Sequence, residues 1–569
     1  MTALLPTALP PAVVLFALAV VTDRLPRRLG HVLAVLVSLS LAAWLLTVPA
    51  GLHLRTTLFG FEVVLFAVDI YSRLLGVTLA FVATVGVGYT FAVGDDRRQT
   101  ALALAYVGAG LGVAFAGDWL SLVVFWELMA VCATVFVWYR TSDRRSGVRY
   151  AIYHELGALA LIAGVVTHYV AVGTFLFGDG VTPGLPALLV ALGIGLNACF
   201  LGLHVWLVDT YPRTHVATSV VLAAVTTKVG VYTIVRAFPD GQPALAYVGG
   251  GMVLFGVTLA VLQSDMRRLL SYHIVSQVGY MVAGFGVGGA LADAGAMAHL
   301  VNNVLYKSLL FMVAGVVIVR SGEESLKDVG GLARTMPKTA VVFAVAAFSI
   351  AGLPGFNGFI SKGMVIDGIE NAGLRVLWYA LVVGGVGTVI SFVKFGYYAF
   401  LDDESDAEYT DLRPIELGAL GSVAAVCILI GVLPGFLFKL LPDAGVTGAK
   451  PFAVSQFLKT GGVTVAGVVV FFGIRTRLSH ITPVADLDTV YHPAGEYLRT
   501  TSVSVAGSIE DTINNIGTRI HDGVRRILQG FRPRSERELT GTPDSGRPIG
   551  RGILAIVLTL VLLLALLLV

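Results

Sequence analysis

The sequence predicts an all-α protein that crosses a membrane many times. Three observations carry that prediction. Charged residues make up 13% of the chain, against about 25% in a soluble domain. Apolar runs long enough to span a bilayer recur along the whole sequence, and they are apolar on every face. The loops between them alternate between basic and nearly uncharged, the asymmetry that orients membrane helices. The 569 residues are 56% hydrophobic, with a mean hydropathy of +0.83. A net charge of +3 indicates no nucleic-acid partner, and the partner that the composition implies is the lipid bilayer.

At about 20 residues per span, the chain holds about sixteen spanning segments. They are 4–22, 30–50, 64–92, 99–116, 119–139, 149–173, 185–208, 216–237, 243–263, 269–288, 292–320, 338–370, 375–400, 414–438, 455–474 and 551–569. The opening MTALLPTALPPAVVLF lacks the basic start and small-residue cleavage site of a secretory leader, so it is expected to be the first helix. Segment 185–208 has a soft interruption near Gly202. Segment 338–370 is cut by AGLPGFNGF; such a break survives at membrane depth only where the freed backbone groups face protein or a wet cavity. Paired broken helices in two halves of a chain point to an ion path and an inverted repeat.

The basic loops TDRLPRR, DDRR, RTSDRRSGVR, SDMRR and RSGEESLKDVGGLARTMPK follow odd-numbered spans. Positive-inside therefore puts them in the cytoplasm and both termini outside the cell membrane. Between the last two spans, SIEDTINNIGTRIHDGVRRILQGF spaces Ile509, Ile513, Ile516, Ile520, Val524, Ile527 and Phe531 along one narrow helical stripe. With Arg519, Arg525 and Arg526 beside it, the stripe suits a cytoplasmic helix lying along the membrane, and a solvated linker is the alternative. The acidic loop DDESDAE (402–408) reads as a solvated turn.

Ionisable residues recur inside the predicted spans: Asp69, Glu127, Glu155, Lys228, His299, Lys307, Lys362 and Lys394. A carboxylate at the centre of a membrane helix costs about 2.5–3.5 kcal/mol on insertion scales. Asp69 and Lys394 lie nearer helix ends, where a structural ion pair is as good a reading as a functional one. Glu155, one turn into its span, could be solvated. Glu127, Lys228, Lys307 and Lys362 sit in different helices, and a row of buried titratable groups joined by hydrogen bonds is how a membrane interior passes protons.

Other chemistries find no support. Cys132, Cys199 and Cys427 stand alone in apolar segments, without the paired spacing of an iron–sulfur, haem or zinc site. His204, His215 and His299 have no metal-ligand spacing, and GFGVGG (284–289) has no surrounding βαβ unit, so close helix packing explains it. No cofactor and no metal are expected, and bond-making catalysis by this chain alone is unsupported.

Five stretches in order carry a resemblance: FWELM around Glu127, HVWLVDTYPRTHVATSVVLAAVTTKVGVY (204–232), QSDMRRLLSYHIVSQVGYM (263–281), HLVNNVLYKSLLFMVAG (299–315) and GLPGFNGFISK (352–362). Together they resemble the antiporter-like subunits shared by Mrp-type cation/proton antiporters, respiratory complex I and membrane-bound hydrogenases, the wording being most similar to the D subunits of Mrp-type Na⁺/H⁺ antiporters. The resemblance implies a core of fourteen helices with two inverted five-helix repeats containing broken helices, moving protons along a central polar axis. It divides the chain into N-terminal helices (1–98), a translocating core (99–400, with repeats at about 99–237 and 243–400), further helices (401–475), a cytoplasmic lateral segment and linker (476–550) and an anchor (551–569).

By the same resemblance, Glu127 matches the essential glutamate of the first repeat and Lys228 the lysine at the middle of the axis. His299 and Lys307 match the histidine and lysine of the second repeat, Lys362 the ionisable residue of its broken helix, and Asp69 an acid of the third span. Two positions depart from the pattern. Asn197 stands where the family has a lysine seven residues before His204, and Asn303 stands one turn before Lys307 where many members have histidine. An asparagine cannot titrate, although its oxygen could hold water or sodium.

Four functions remain open. The first is an ion-translocating subunit of a multisubunit Na⁺/H⁺ antiporter, with other membrane subunits as partners and H⁺ and Na⁺ as cargo. The second is the proton-pumping subunit of a complex I-like or hydrogenase-like redox complex. The others are a bicarbonate-uptake membrane subunit and an inactive scaffold; Asn197 favours the scaffold, and Glu127, Lys307 and Lys362 oppose it.

Overall fold

The structure is a computed structural model that describes residues 9–480 apart from 59, 95, 142 and 403–408. The start of the first expected span, most of the acidic loop, nearly all of the lateral segment 476–550 and the anchor 551–569 lie outside the described residues.

Helices α1 (Pro11–Arg24) and α2 (Arg27–Leu45) lead into an antiparallel hairpin of β1 (Gly51–Leu58) and β2 (Phe61–Val68). Then come α3 (Ile70–Ala92), α4 (Arg97–Phe115), α5 (Trp119–Trp138) and α6 (Arg144–Val172). Shorter pieces follow: α7 (Leu185–Asn197), α8 (Val205–Thr210), α9 (Val216–Ala224) and α10 (Thr226–Ala237). The second half runs through α11 (Pro243–Leu262), α12 (Met266–Val287), α13 (Ala290–Ser321), the single turn α14 (Leu332–Thr335), α15 (Pro337–Ala351), α16 (Asn357–Asn371) and α17 (Arg375–Gly396). After them stand α18 (Pro414–Val432), the turns α19 (Gly435–Phe438) and α20 (Asp443–Val446), and α21 (Val454–His480). Ten helical segments of the described residues are long and apolar enough to cross a membrane, and the chain is a multi-pass membrane protein.

Aspartates set several helix starts. The Asp69 carboxylate accepts from the Ser72 amide at 2.7 Å while the Ser72 hydroxyl accepts from the Asp69 amide at 2.8 Å, a reciprocal cap. Asp118 and Asp265 cap α5 and α12 through the Ser121 and Arg268 amides.

One expectation is corrected. The span expected from residue 64 begins at 70, because Phe61–Val68 is a strand that Gly60, at φ 84°, turns back onto β1. The run FEVVLFAV is β-branched and aromatic, which favours a pleated strand, and hydrophobicity alone does not separate a short strand from a helix. Asp69 therefore caps a helix and does not lie inside one. The segment 216–237 is long and apolar enough to cross a membrane, as expected, and it is interrupted at Val225 (φ −104°, ψ −72°).

The interruption in 185–208 is a full break between Asn197 and Val205, with Cys199 at φ 51° and Gly202 at φ 82°. The break in 338–370 uses Gly352 at φ 83° and Gly355 at φ 88°, conformations that glycine adopts without a Cβ penalty. Helices α12 and α13 and the α9–α10 pair are enclosed by the rest, whereas α6 and α21 expose Leu156, Leu159, Val170, Leu458 and Val469. Exposed apolar side chains in such numbers suit an acyl-chain surface.

Candidate functional site

Two of the helix breaks and one helix end receive buried lysines. Lys228, Lys307, Lys362 and Lys394 are all buried, and among the described residues none of them pairs with a carboxylate. Each ammonium donates to main-chain carbonyls. Lys228 Nζ reaches Ala223 O at 2.7 Å, in the last turn of α9, and Thr227 Oγ1 at 3.1 Å. Lys362 Nζ reaches Ile350 O at 2.6 Å, in the last turn of α15, and lies 5.0 Å from the Tyr280 ring centroid. Lys394 Nζ donates to Val261 O at 2.8 Å and Gln263 O at 2.5 Å at the end of α11. A helix C-terminus leaves carbonyls unused and carries about half a negative charge, so it receives a cation without fixing it in an ion pair. Lys307 differs, donating to Leu270 O at 2.8 Å near the start of α12.

Around Lys307 and Lys362 runs a neutral hydrogen-bonded network. His299 Nδ1 lies 3.0 Å from Ser361 Oγ, and its Nε2 lies 3.4 Å from the Tyr306 hydroxyl. The Tyr306 hydroxyl donates to Gln277 Oε1 at 3.3 Å and accepts from Asn303 Nδ2 at 3.1 Å. Asn303, one of the two departures from the family pattern, is thus built into the network, and its Oδ1 is buried without a partner. Lys228 and Lys362 each lie within electrostatic reach of both Lys307 and His299. Four expected site residues from three helices are therefore brought together.

Others are held apart. Glu127 and Glu155 are half-buried on α5 and α6, within reach of each other's charge. Asp69 forms a 2.5 Å ion pair with Arg236, whose guanidinium also donates to the Tyr232 hydroxyl and covers the Phe177 ring. His204 is buried against Phe255, ring centroids 4.9 Å apart.

Two buried histidines close to the expected site residues escaped the sequence reading. His273, on α12, lies within electrostatic reach of Lys307 and Lys362 with both ring nitrogens unpartnered. His154, on α6, is 1% exposed and stacks on Tyr150 at 4.0 Å. The available signal was a histidine in an apolar run, which does not say which way it faces.

An enclosed cluster of lysines and a histidine, held on carbonyls and hydroxyls, thus lies inside a multi-pass helical membrane protein. Residues 116–391 match the family described as NADH:quinone oxidoreductase/Mrp antiporter, TM. The D subunit of the Na(+)/H(+) antiporter of Alkalihalophilus pseudofirmus is 30% identical over 373 residues, covering 61% of this chain and 75% of that one. The N subunit of the NADH-quinone oxidoreductase of Desulforudis audaxviator is 33% identical over 332 residues, covering 54% and 66%. The chain belongs to the NADH:quinone oxidoreductase/Mrp antiporter family of membrane subunits.

Solved structures share the fold. A chain of the membrane-bound sulfane sulfur reductase, an archaeal respiratory membrane complex, superposes with a TM-score of 0.71 at 22% identity over 97% of this chain and 99% of that chain. A chain of the Mrp complex from Dietzia sp. DQ12-45-1b does so with a TM-score of 0.64 at 20% identity over 80% and 95%.

Proposed function

We propose that this chain is the ion-translocating membrane subunit of a multisubunit cation/proton antiporter, exchanging Na⁺ for H⁺ across the cell membrane. The observation that carries the reading is the cluster of Lys228, Lys307, Lys362 and His299, buried without a carboxylate to fix any of the cations. Such groups change protonation at modest cost, because hydrogen-bonded carbonyls and hydroxyls accept either form. Likeness to the D subunit of a Na(+)/H(+) antiporter supports the choice of exchange. In this reading protons enter at Glu127, pass Lys228 and Lys307, and leave by His299 and Lys362, and the core 99–400 works as two inverted repeats. The basic loops face the cytoplasm, and other membrane subunits flank the chain.

The second reading is the pumping arm of a redox complex, favoured by the identity with the N subunit of an NADH-quinone oxidoreductase. Mild extraction of the native complex, followed by mass spectrometry and a vesicle assay with a pH dye, separates the two. Small membrane subunits together with Na⁺-dependent proton movement support the antiporter; iron–sulfur subunits together with proton movement driven only by electron transfer overturn it.

A further inference from the structure

The first half of the chain has outer carboxylates at Glu127 and Glu155 and an inner lysine at Lys228, with the non-titrating Asn197 between α6 and α10. Asn197 ends α7 where that helix packs on Gly230, two residues beyond Lys228. The His154 ring of α6 faces Asn197. It follows Tyr150 by one helical turn, stacks on that ring at 4.0 Å and takes the Trp206 edge at 4.5 Å. Trp206 is itself anchored, its indole N–H donating to Leu196 O at 2.9 Å. The His154 ring is buried, and its Nε2 meets no partner. The Asn197 amide faces that ring within hydrogen-bonding reach, although neither its oxygen nor its nitrogen attains full hydrogen-bond geometry.

On the side of Lys228, the Tyr150 hydroxyl lies 3.1 Å from Thr226 Oγ1, which also bonds the Tyr106 hydroxyl. The next residue, Thr227, accepts from Lys228 Nζ at 3.1 Å. On the other side is Glu155, the sequence neighbour of His154, turned about 100° around the helix toward Glu127. A buried imidazole thus shares a helix with Glu155 and faces Asn197, which packs on the helix that carries Lys228.

We propose that His154 is the proton carrier of the first half of the chain, in the position that Asn197 cannot serve. A carboxylic O–H at Glu155 or Glu127 breaks as an N–H forms on the His154 ring. That ring then gives up a proton to the neutral Nζ amine of Lys228 along the seam of Asn197, Tyr150 and Thr226. The carboxylate is left charged, the imidazole returns to neutral, and one proton has moved inward. This rests on the translocation reading above.

The test uses the native complex in vesicles with a pH dye, wild type measured first. Absence of proton movement in the wild type would overturn the translocation reading itself and this proposal with it. With wild-type movement established, His154→Gln and His154→Phe are compared in assembled complexes quantified by mass spectrometry. Phenylalanine keeps the stack on Tyr150 and Trp206 but carries no proton, so both variants should lose about tenfold or more in rate. Adding Asn197→Lys to His154→Gln should restore most of it, a rescue that a packing role would not give. Wild-type rates in His154→Phe, or no recovery in the double variant, would overturn the proposal.

Discussion

At the residue scale, the four buried lysines separate by what they hold. Lys228 and Lys362 rest on helix ends and lie within reach of other ionisable groups. Lys394 bridges two carbonyls at the end of α11, tying α17 to it. Lys394→Met should therefore lower stability by about 1–3 kcal/mol, the cost of leaving buried carbonyls unmet, while transport per assembled complex changes little; unfolding in detergent and the vesicle assay measure the two. Lys362→Ala and Glu127→Gln should behave in the opposite way, with assembly retained and the rate reduced by about tenfold or more, about 1.4 kcal/mol in barrier. Full transport in both would remove the proton row as an explanation. These charges were legible in the sequence because a lysine in an apolar run is conspicuous. Their partners were not, since a carbonyl acceptor leaves no mark in the sequence. His154 and Glu155 show the same limit: adjacent residues face different directions on a helix, and only packing reveals that the histidine points inward.

At the element scale, helix ends receive three of the buried lysines. AGLPGFNGF announced its break through glycine and proline, whereas the break at Val225 has neither; TSVVLAAVTTKVG reads as continuous helix. Tertiary contacts decide it, with the Tyr106 hydroxyl accepting from the Thr226 amide at 2.9 Å. The strand β2 was hidden for the complementary reason, an apolar run being compatible with either period. Gly352 shows how tightly a break positions its lysine. At φ 83°, an added Cβ would lie 3.3 Å from Lys362 Cδ. Gly352→Ala should cost about 1 kcal/mol or more through the backbone alone and displace the Lys362 stem from Ile350 O. Transport should then fall further than stability does. A variant that loses stability without losing rate would show that the break is only structural.

At the scale of the whole molecule, the half-exposed carboxylates stand in the first half, while the cluster of the second half is enclosed. Lys307, Lys362 and His299 of the second half are enclosed by this chain, so their surroundings are complete without help. Glu127 and Glu155 are half-exposed on the outer faces of α5 and α6, next to Leu128 and Leu156, which are open as well. Carboxylates facing acyl chains are costly, and belonging to a family of complex-forming subunits makes another subunit their natural cover. The sequence singled out both residues but could not say that this chain alone leaves them open, because burial in an assembly is a property of two surfaces. A hydrophobic carbodiimide, which modifies protonated carboxyls within membranes, tests the point. The isolated chain should be labelled at Glu127 and Glu155, and the native complex should be labelled much more slowly at the same residues, read by peptide mass spectrometry. Equal labelling in both states would mean that the two carboxylates face lipid even in the complex. Protons would then reach the lysine row by another entrance, and Glu127→Gln would leave transport intact.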